Sequence, residues 1–150
     1  MDSIDRKILE LLAEDSGRSA ADMSEEVRLS VPAINKRISK MKETGIIKKQ
    51  TVILDGESVG KPVMAFVMIE LGDFGKSDRL LKMLSEDRDV LECYAVTGEF
   101  DYILKICASG IDSLETKLLE MKKECVVKSH TILCLREYKF EATPIPDEAK

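Results

Sequence analysis

A run of basic side chains stands out in a chain that is acidic overall. The chain has 150 residues and a formal net charge of -5. Residues 1–62 sum to zero, so residues 63–150 carry the whole negative balance. Within residues 34–50, however, a single acid, Glu43, faces six bases, which are Lys36, Arg37, Lys40, Lys42, Lys48 and Lys49. Positive charge confined to one segment is typical of a local contact with a polyanion such as nucleic acid.

A second stretch whose residues could bind a ligand is the turn Gly98-Glu99-Phe100-Asp101. Gly98 allows a ligand to approach the backbone closely, and the N–H groups of such a turn bind a carboxylate. Asp101 offers an acceptor for an ammonium group, so the two ends of the turn suit a free amino acid. The alternative is an ordinary hairpin in which Gly98 supplies a positive φ and Asp101 caps the turn. The residues alone leave both interpretations open.

Other kinds of site find little support in the composition. Cys93, Cys107, Cys125 and Cys134 have no C-x-x-C spacing, which predicts reduced and mostly buried thiols. With His130 as the single histidine, we predict no metal site and no cofactor, and we interpret His130 as an edge-strand side chain. No apolar run reaches the roughly 18 residues of a membrane span, and the amphipathic, acidic start is no secretory signal. These features favour a cytoplasmic protein with no membrane partner.

The basic run falls on the third of three predicted helices. Apolar residues at helical spacing predict a first helix over residues 3–14. Ser19 and Asp22 form a capping-box pattern that opens a short second helix through Val27. Ser30 is the next N-cap candidate, and the third helix runs from there to a C-cap at Gly45, with Ile46 expected to pack after it. Two helices joined by so tight a turn predict a helix-turn-helix.

On the third helix, Val31, Ile34, Ile38 and Met41 form an apolar stripe, which directs the basic side chains outward. Small side chains near its N-terminus would let that end enter a major groove. The candidates for DNA contact on this helix are Ser30, Pro32, Ala33, Lys36, Arg37 and Lys40. An alternative for Arg37 is an internal ion pair on an ordinary solvated helix.

Three further basic residues outside that helix are candidates for phosphate contact. Lys48 and Lys49 follow the third helix, with a plain exposed strand as the competing interpretation. Arg18 precedes the second helix, with a local role in the turn as the alternative. Affinity at cellular salt grows with each phosphate neutralised, so two copies related by a two-fold axis would bind paired half-sites far better than one.

The segment after the third helix leads to a boundary. Residues 46–55, "IIKKQTVILD", have strand composition and predict a wing or an extra strand. Residues 56–62, "GESVGKP", contain two glycines and a proline and predict a linker. The predicted organisation is a DNA-binding domain over residues 1–55, the linker, a second domain over residues 63–140 and a frayed tail over residues 141–150.

The second half of the chain alternates strands and helices in the order β-α-β-β-α-β. Strands are predicted at 63–71, 90–98, 101–109 and 127–140, and helices at 76–87 and 111–124. This order is typical of a ferredoxin-like antiparallel sheet with two helices on one face. The fold class is therefore α+β, a winged helix-turn-helix followed by a ferredoxin-like domain. The uncovered sheet face predicts a dimer.

With both halves in view, the chain resembles the Lrp/AsnC, or feast/famine, family of transcriptional regulators. The resemblance rests on "DSIDRKILELL", "DSGRSAADMS", "LSVPAINKRISKMKETGII" and "VTGEFDYILKI", and it covers nearly the whole chain. It implies binding to double-stranded DNA, assembly into dimers and an octamer of four dimers, and sensing of an amino acid. It also implies an effector pocket between dimers, to which we assign Gly98, Phe100, Asp101 and, from a neighbouring subunit, Thr131.

Two other functions stay open at this point. Siroheme decarboxylases have the same two-domain architecture, although one histidine and an acidic second half argue against a tetrapyrrole cavity. An effector-independent, DNA-organising protein is the other. We predict a regulator that is not an enzyme.

Overall fold

The computed structural model describes residues 1–73, 75 and 77–146, which divide into two compact units. Among the described residues, the first unit comprises Met1–Ile53 and residues 139–146, and the second comprises Leu54–Tyr138. In the predicted tail, residues 141–146 form neither helix nor strand, and residues 147–150 lie outside the described residues.

The first unit is built on three helices, α1 (Ser3–Glu14), α2 (Ala20–Val27) and α3 (Val31–Glu43). Reciprocal capping boxes start the first two, because Asp2 and Asp5 exchange side-chain and backbone hydrogen bonds, as do Ser19 and Asp22. Each box satisfies two N–H groups that the helix itself leaves unpaired. The turn between α2 and α3 is only three residues long. The predicted helix-turn-helix is therefore confirmed.

A small core holds the three helices together. It consists of the fully or nearly fully buried side chains Ile8, Leu11, Met23, Ile34 and Met41. Truncating such a side chain to alanine typically costs about 2–5 kcal/mol, so this packing fixes the direction of α3. The predicted stripe on α3 was wrong at one position, since Val31 in the first turn is 37% exposed.

The residues after α3 form no strand. Gly45 adopts φ 75°, which glycine accommodates best, and the side chain that returns to the core is Ile47 rather than the predicted Ile46, which is 49% exposed. No residue between 46 and 62 belongs to a strand. A strand needs a ladder partner, and this fully described part of the chain offers none before Val63. The strand predicted over 46–55 was therefore wrong.

The glycine-rich segment before the second unit's sheet, predicted as a linker, forms a closed turn. The N–H of Lys61 donates to the carbonyl of Gly56 at 2.7 Å, and the N–H of Ser58 donates to Asp55 Oδ2 at 2.7 Å. A Cβ on Gly56 would lie 2.7 Å from the Lys61 carbonyl oxygen, so the turn closes only over a glycine.

Lys61 also anchors this turn through an ion-pair network. Its Nζ lies 2.8 Å from Asp89 Oδ1, and Asp89 Oδ2 accepts from Lys117 at 3.2 Å. Lys117 pairs with Asp87 as well. The hydrogen bond from Lys61, and after it that from Lys117, outweigh desolvation and lower the pKa of Asp89. The network joins the turn to the helix that carries Lys117 and to the loop that carries Asp87 and Asp89.

The second unit is a four-stranded antiparallel sheet with two helices. Its elements are β1 (Val63–Leu71), α4 (Ser77–Glu86), β2 (Val90–Ala95), β3 (Tyr102–Ala108), α5 (Ile111–Glu124) and β4 (Val126–Leu133). The strand order is β2-β3-β1-β4, and each neighbouring pair is antiparallel. The predicted ferredoxin-like α+β arrangement is confirmed.

The two faces of the sheet have different surroundings. Alternate β1 residues Ala65, Val67, Ile69 and Leu71 are buried in one core with Leu80 and Leu84 of α4 and Leu114 and Met121 of α5. The opposite face carries Phe66 and Met68 beside Ile103, Tyr94 and Ile132 in register. Tyr94 is 57% and Ile132 47% exposed, and the described part of this unit has no further helix to cover them.

The last strand is shorter than the predicted 127–140. It ends at Leu133, and the N–H of Cys134 makes one more bond to the carbonyl of Met64 at 2.9 Å. Because β1 starts at Val63, nothing continues the ladder beyond that point. Leu135 and Tyr138 in the following segment are 97% and 88% exposed.

The cysteines are free, as predicted, but their predicted burial was wrong for two of them. Cys107 is buried and Cys125 half-buried, whereas Cys93 and Cys134 are exposed. Both exposed residues lie on or just beyond edge strands, where one side of the backbone faces water. The helices in the described part of the chain are all too short or too polar to cross a bilayer.

Candidate nucleic-acid interface and effector turn

The solvent-facing side of α3 carries a set of lysines without counter-charges. Because Ile34 and Met41 are buried and Ile38 packs on the same core, the opposite side of the helix faces water. The exposed lysines there and just beyond the helix are Lys36, Lys40, Lys42, Lys48 and Lys49. None of them forms an ion pair with a carboxylate in residues 1–73, 75 or 77–146. Their charge is therefore available to an external polyanion.

The start of α3 leaves its backbone open. Ser30 occupies the N-cap position but its hydroxyl makes no capping hydrogen bond, so the predicted side-chain cap was wrong. Pro32 in the first turn lacks an N–H and is exposed, while Ala33 is half-buried. Small side chains and unsatisfied N–H groups at a helix N-terminus suit close approach to an anion.

Arg37 does not share this exposed side. Its guanidinium donates to Asp2 Oδ2 and to Asp5 Oδ1, each at 2.7 Å. The hydrogen bonds with Asp5 and Asp2 raise the pKa of Arg37. The pKa of Asp2 is lowered, first by the N–H of Asp5 and then by Arg37. Arg37 thus ties the start of α1 to the middle of α3, which is the alternative that the sequence left open, and its contact with a phosphate stays a prediction.

Arg18 has a similar internal role. Its guanidinium lies 2.5 Å from Glu26 Oε1 on α2 and 3.9 Å from Glu14 on α1. These contacts span the loop between the two helices, as the alternative interpretation expected. Its contact with DNA likewise stays a prediction.

Two neutral residues on the exposed side of α3 escaped the sequence interpretation. Asn35 and Ser39 are both exposed, and each directly precedes a lysine of the helix, Lys36 or Lys40. Asparagine is the side chain that pairs bidentately with adenine, and serine accepts or donates to several bases. Their spacing of four residues, each one position after a core residue of the stripe, Ile34 or Ile38, is a signal that the sequence carries although neither residue is charged.

The turn between β2 and β3 is open at its glycine. Gly98 has φ 119°, and a Cβ placed there would meet nothing within 4 Å. The glycine is therefore required by backbone conformation, and the space above it is free. This geometry fits both interpretations that the sequence left open for the turn.

Asp101 holds the turn to the central strand. Its N–H donates to the carbonyl of Ile69 at 2.9 Å, and its carboxylate Oδ2 accepts from the N–H of Leu71 at 2.7 Å. That second bond lies at the register shift of β1 between Glu70 and Leu71. Asp101 is therefore a structural cap of the turn, and an ammonium ligand would have to share its carboxylate.

Phe100 lies in a cluster on the open face of the sheet. Its ring centroid is 6.5 Å from that of His130, and Lys128 Nζ lies 5.1 Å from the Phe100 centroid. Lys128 also pairs with Glu99, which lowers the pKa of Glu99. Cation, aromatic and carboxylate groups thus gather beside the turn.

Thr131 lies on the other side of the sheet. It pairs with Val67 of β1, whose side chain is fully buried under the helices, whereas its neighbour His130 pairs with Met68 on the open face. Strand residues alternate between faces, so Thr131 does not join Phe100 within one chain. The predicted effector residues are therefore only partly brought together.

Known proteins match both units of this chain. A family model described as winged helix-turn-helix DNA-binding matches residues 1–48, and one described as the Lrp/AsnC ligand binding domain matches residues 64–144. The chain belongs to the Lrp/AsnC family. It is a transcriptional regulator of that family, with a DNA-binding and a ligand-binding domain.

Individual relatives of this Lrp/AsnC protein align over nearly its full length. The HTH-type transcriptional regulator FL11 of Pyrococcus horikoshii is 31% identical over 97% of this chain and 96% of its own length. The glutamate uptake regulatory protein of Zymomonas mobilis is 31% identical over 98% of this chain and 92% of its own.

Solved structures of the family are similar as well. An AsnC family regulator from Agrobacterium tumefaciens has a TM-score of 0.87 at 29% identity, covering 96% of each chain. A feast or famine regulatory protein from M. tuberculosis, complexed with L-methionine, has a TM-score of 0.89 at 26% identity, covering 97% of this chain and 99% of that one.

Proposed function

We propose that this protein is a sequence-specific DNA-binding regulator in the cytoplasm whose assembly or DNA affinity is tuned by a free amino acid. The observation that carries the DNA-binding part is the set of unpaired, exposed lysines on and after α3. Lys36 and Lys40 lie on the exposed side of the helix, and the residues directly before them, Asn35 and Ser39, read base edges. Lys48 and Lys49 contact the DNA phosphate backbone beside this helix.

The proposed active form is a dimer, with four dimers forming the octamer. The open sheet face supports this, because Phe66 and Met68 lie there beside the exposed Tyr94 and Ile132. Apolar side chains on an uncovered face gain by burial against a second copy. A symmetric dimer would present two copies of α3 to two half-sites.

The amino acid is proposed to bind at the turn around Gly98, Phe100 and Asp101. Support comes from the free space above Gly98 and from the solved relative that holds L-methionine. Thr131 lies on the opposite face of the sheet from Phe100 of the same chain. A threonine contact with the amino acid would therefore come from a neighbouring subunit. An effector shifts an assembly equilibrium only if it binds one state better than the other.

The DNA-binding part is tested with fluorescently labelled duplexes selected from a genomic fragment library. The double variant Lys36→Ala/Lys40→Ala should weaken binding, whereas Lys122→Ala/Lys123→Ala removes the same charge from the exposed last turn of α5 and should leave it unchanged. Equal loss in both pairs would mean that net charge alone controls binding and that α3 has no special role.

The effector part is tested by adding each of the twenty amino acids to the bound complex and measuring both affinity and assembly size. Asp101→Asn is the decisive variant, because an amide oxygen still accepts from the Leu71 N–H while the negative charge is lost. It should bind DNA like the wild type and lose its response. A full response in Asp101→Asn would remove the proposed ammonium partner.

A further inference from the structure

The turn of the helix-turn-helix contains a strained arginine. Arg28, the C-cap of α2, has φ 53° and ψ 43°, and its N–H donates to the carbonyl of Ser24. It is the sole residue other than glycine with positive φ in the part of the chain that the structure describes. Left-handed backbone crowds a Cβ against the neighbouring carbonyl, and glycine is the usual residue at this position after a helix. The fold itself therefore gives no reason for an arginine here.

The side chain of Arg28 also lacks an internal partner. It is exposed, and no carboxylate among the described residues forms an ion pair with it. In the same unit, Arg18 is held by Glu26 and Glu14, and Arg37 by Asp2 and Asp5. A cation near the end of α2 has some favourable interaction with the helix dipole, but that effect is small at the surface and suits a lysine equally well.

The position of Arg28 connects it to the proposed interface. Only Leu29 and Ser30 separate it from the first turn of α3, the end at which Pro32 and Ala33 leave the helix open. A long, planar cation at that end reaches a phosphate beside the groove that the helix enters, and guanidinium binds phosphate bidentately. We propose that Arg28 contacts a DNA phosphate beside the groove that α3 enters. This proposal rests on the proposed DNA-binding function.

The test compares stability and salt dependence in the same variants. Arg28→Gly relieves the backbone strain and removes the charge, Arg28→Asn tolerates the left-handed backbone without charge, and Arg28→Lys retains charge. Each full-length variant is titrated against a labelled mixed-sequence duplex between about 50 and about 200 mM salt, and its thermal midpoint is measured. The matched control is Arg88→Gly, the same change at an exposed turn of the second unit.

The expected result combines changes of opposite sign. Arg28→Gly should unfold at the same or a higher temperature than the wild type and yet bind DNA more weakly. The salt slope is the slope of log affinity against log salt concentration, and losing one phosphate contact per subunit of a dimer lowers its magnitude by about 1.8. Between the two salt concentrations, the variant therefore loses about tenfold less affinity than the wild type loses. Arg28→Asn should have the same reduced slope as Arg28→Gly. Arg28→Lys and the control Arg88→Gly should both keep the wild-type slope.

Two results would overturn the inference, and they are distinguishable. If Arg28→Gly and Arg28→Asn keep the wild-type salt slope while the wild type binds DNA, Arg28 has no phosphate contact and only this inference fails. If the wild type itself does not bind any duplex, the proposed function fails with it.

Discussion

The double contact of Arg37 with Asp2 and Asp5 separates a structural arginine from a DNA-binding one. We change each partner in turn, as Arg37→Gln and as Asp5→Asn. If the guanidinium acts inside the unit, both variants lose the same tie between α1 and α3 and both lower the thermal midpoint. If it grips a phosphate, Arg37→Gln weakens DNA binding while Asp5→Asn frees the cation and strengthens it. The two roles therefore differ in the DNA affinity of Asp5→Asn, which stays at the wild-type value for the internal role and rises for the phosphate role.

The magnitude of the DNA effect follows from counting cations. Lys40→Ala, three residues along the same helix, removes one contact per subunit and two per dimer, which lowers the magnitude of the salt slope by about 1.8. Arg37→Gln should change the slope by about zero, because its charge is already compensated by carboxylates at 2.7 Å.

The assay is fluorescence anisotropy of a labelled duplex at several salt concentrations, with thermal unfolding of the same samples. We expect Arg37→Gln and Asp5→Asn to share a lower thermal midpoint and a wild-type salt slope. Lys40→Ala should keep the wild-type midpoint and have a smaller slope. An unchanged midpoint in Arg37→Gln, together with a slope as low as that of Lys40→Ala, would refute the internal role.

Two further predictions concern the second unit. Asp89→Asn should destabilise the protein near neutral pH by up to about 1 kcal/mol, since it loses the pairs with Lys61 and Lys117. Because the folded state lowers the pKa of Asp89, its contribution is full above the unfolded value of about 4 and disappears as pH falls through the folded pKa. The stabilities of the wild type and Asp89→Asn should therefore converge at low pH. A difference that stays constant with pH would contradict a stabilising role for the Asp89 ion pairs. Tyr94→Glu with Ile132→Glu should convert the proposed dimer to a monomer in sedimentation, and a persistent dimer would place its interface elsewhere.

The helices and the order of the strands could be predicted because each depends on neighbouring residues. The cap at Ser19, the three-residue turn before α3 and the apolar periods of α4 and α5 are all local patterns. The strand expected over 46–55 had the right composition, but a strand also needs a partner, and the sequence does not show where partners end. The same reason explains why the last strand stops at Leu133.

The site was harder to predict than the fold because its chemistry depends on contacts between distant residues. Lys36 and Arg37 are adjacent in sequence and equal in charge, yet one faces water and the other reaches carboxylates on α1. Asp101 and Leu71 are thirty positions apart, so the hydrogen bond between them was invisible in the turn's sequence. In both cases residue type indicated a charge but not which groups had already neutralised it.

Acidic and basic side chains are separated in the first unit, and this separation affects how the unit orients near DNA. Asp2, Asp5 and Asp22 serve as caps or hold an arginine near α1 and α2, while the unpartnered lysines of the described chain's first half gather on and after α3. Residues 1–62 have no net charge, so the field of a polyanion exerts little overall pull on them. It does exert a torque, because the separated charges give this segment a dipole moment whose positive end is α3. Within about a Debye length of DNA, roughly 8–10 Å at physiological salt, that torque turns α3 toward the groove before any contact forms and so raises the fraction of productive encounters.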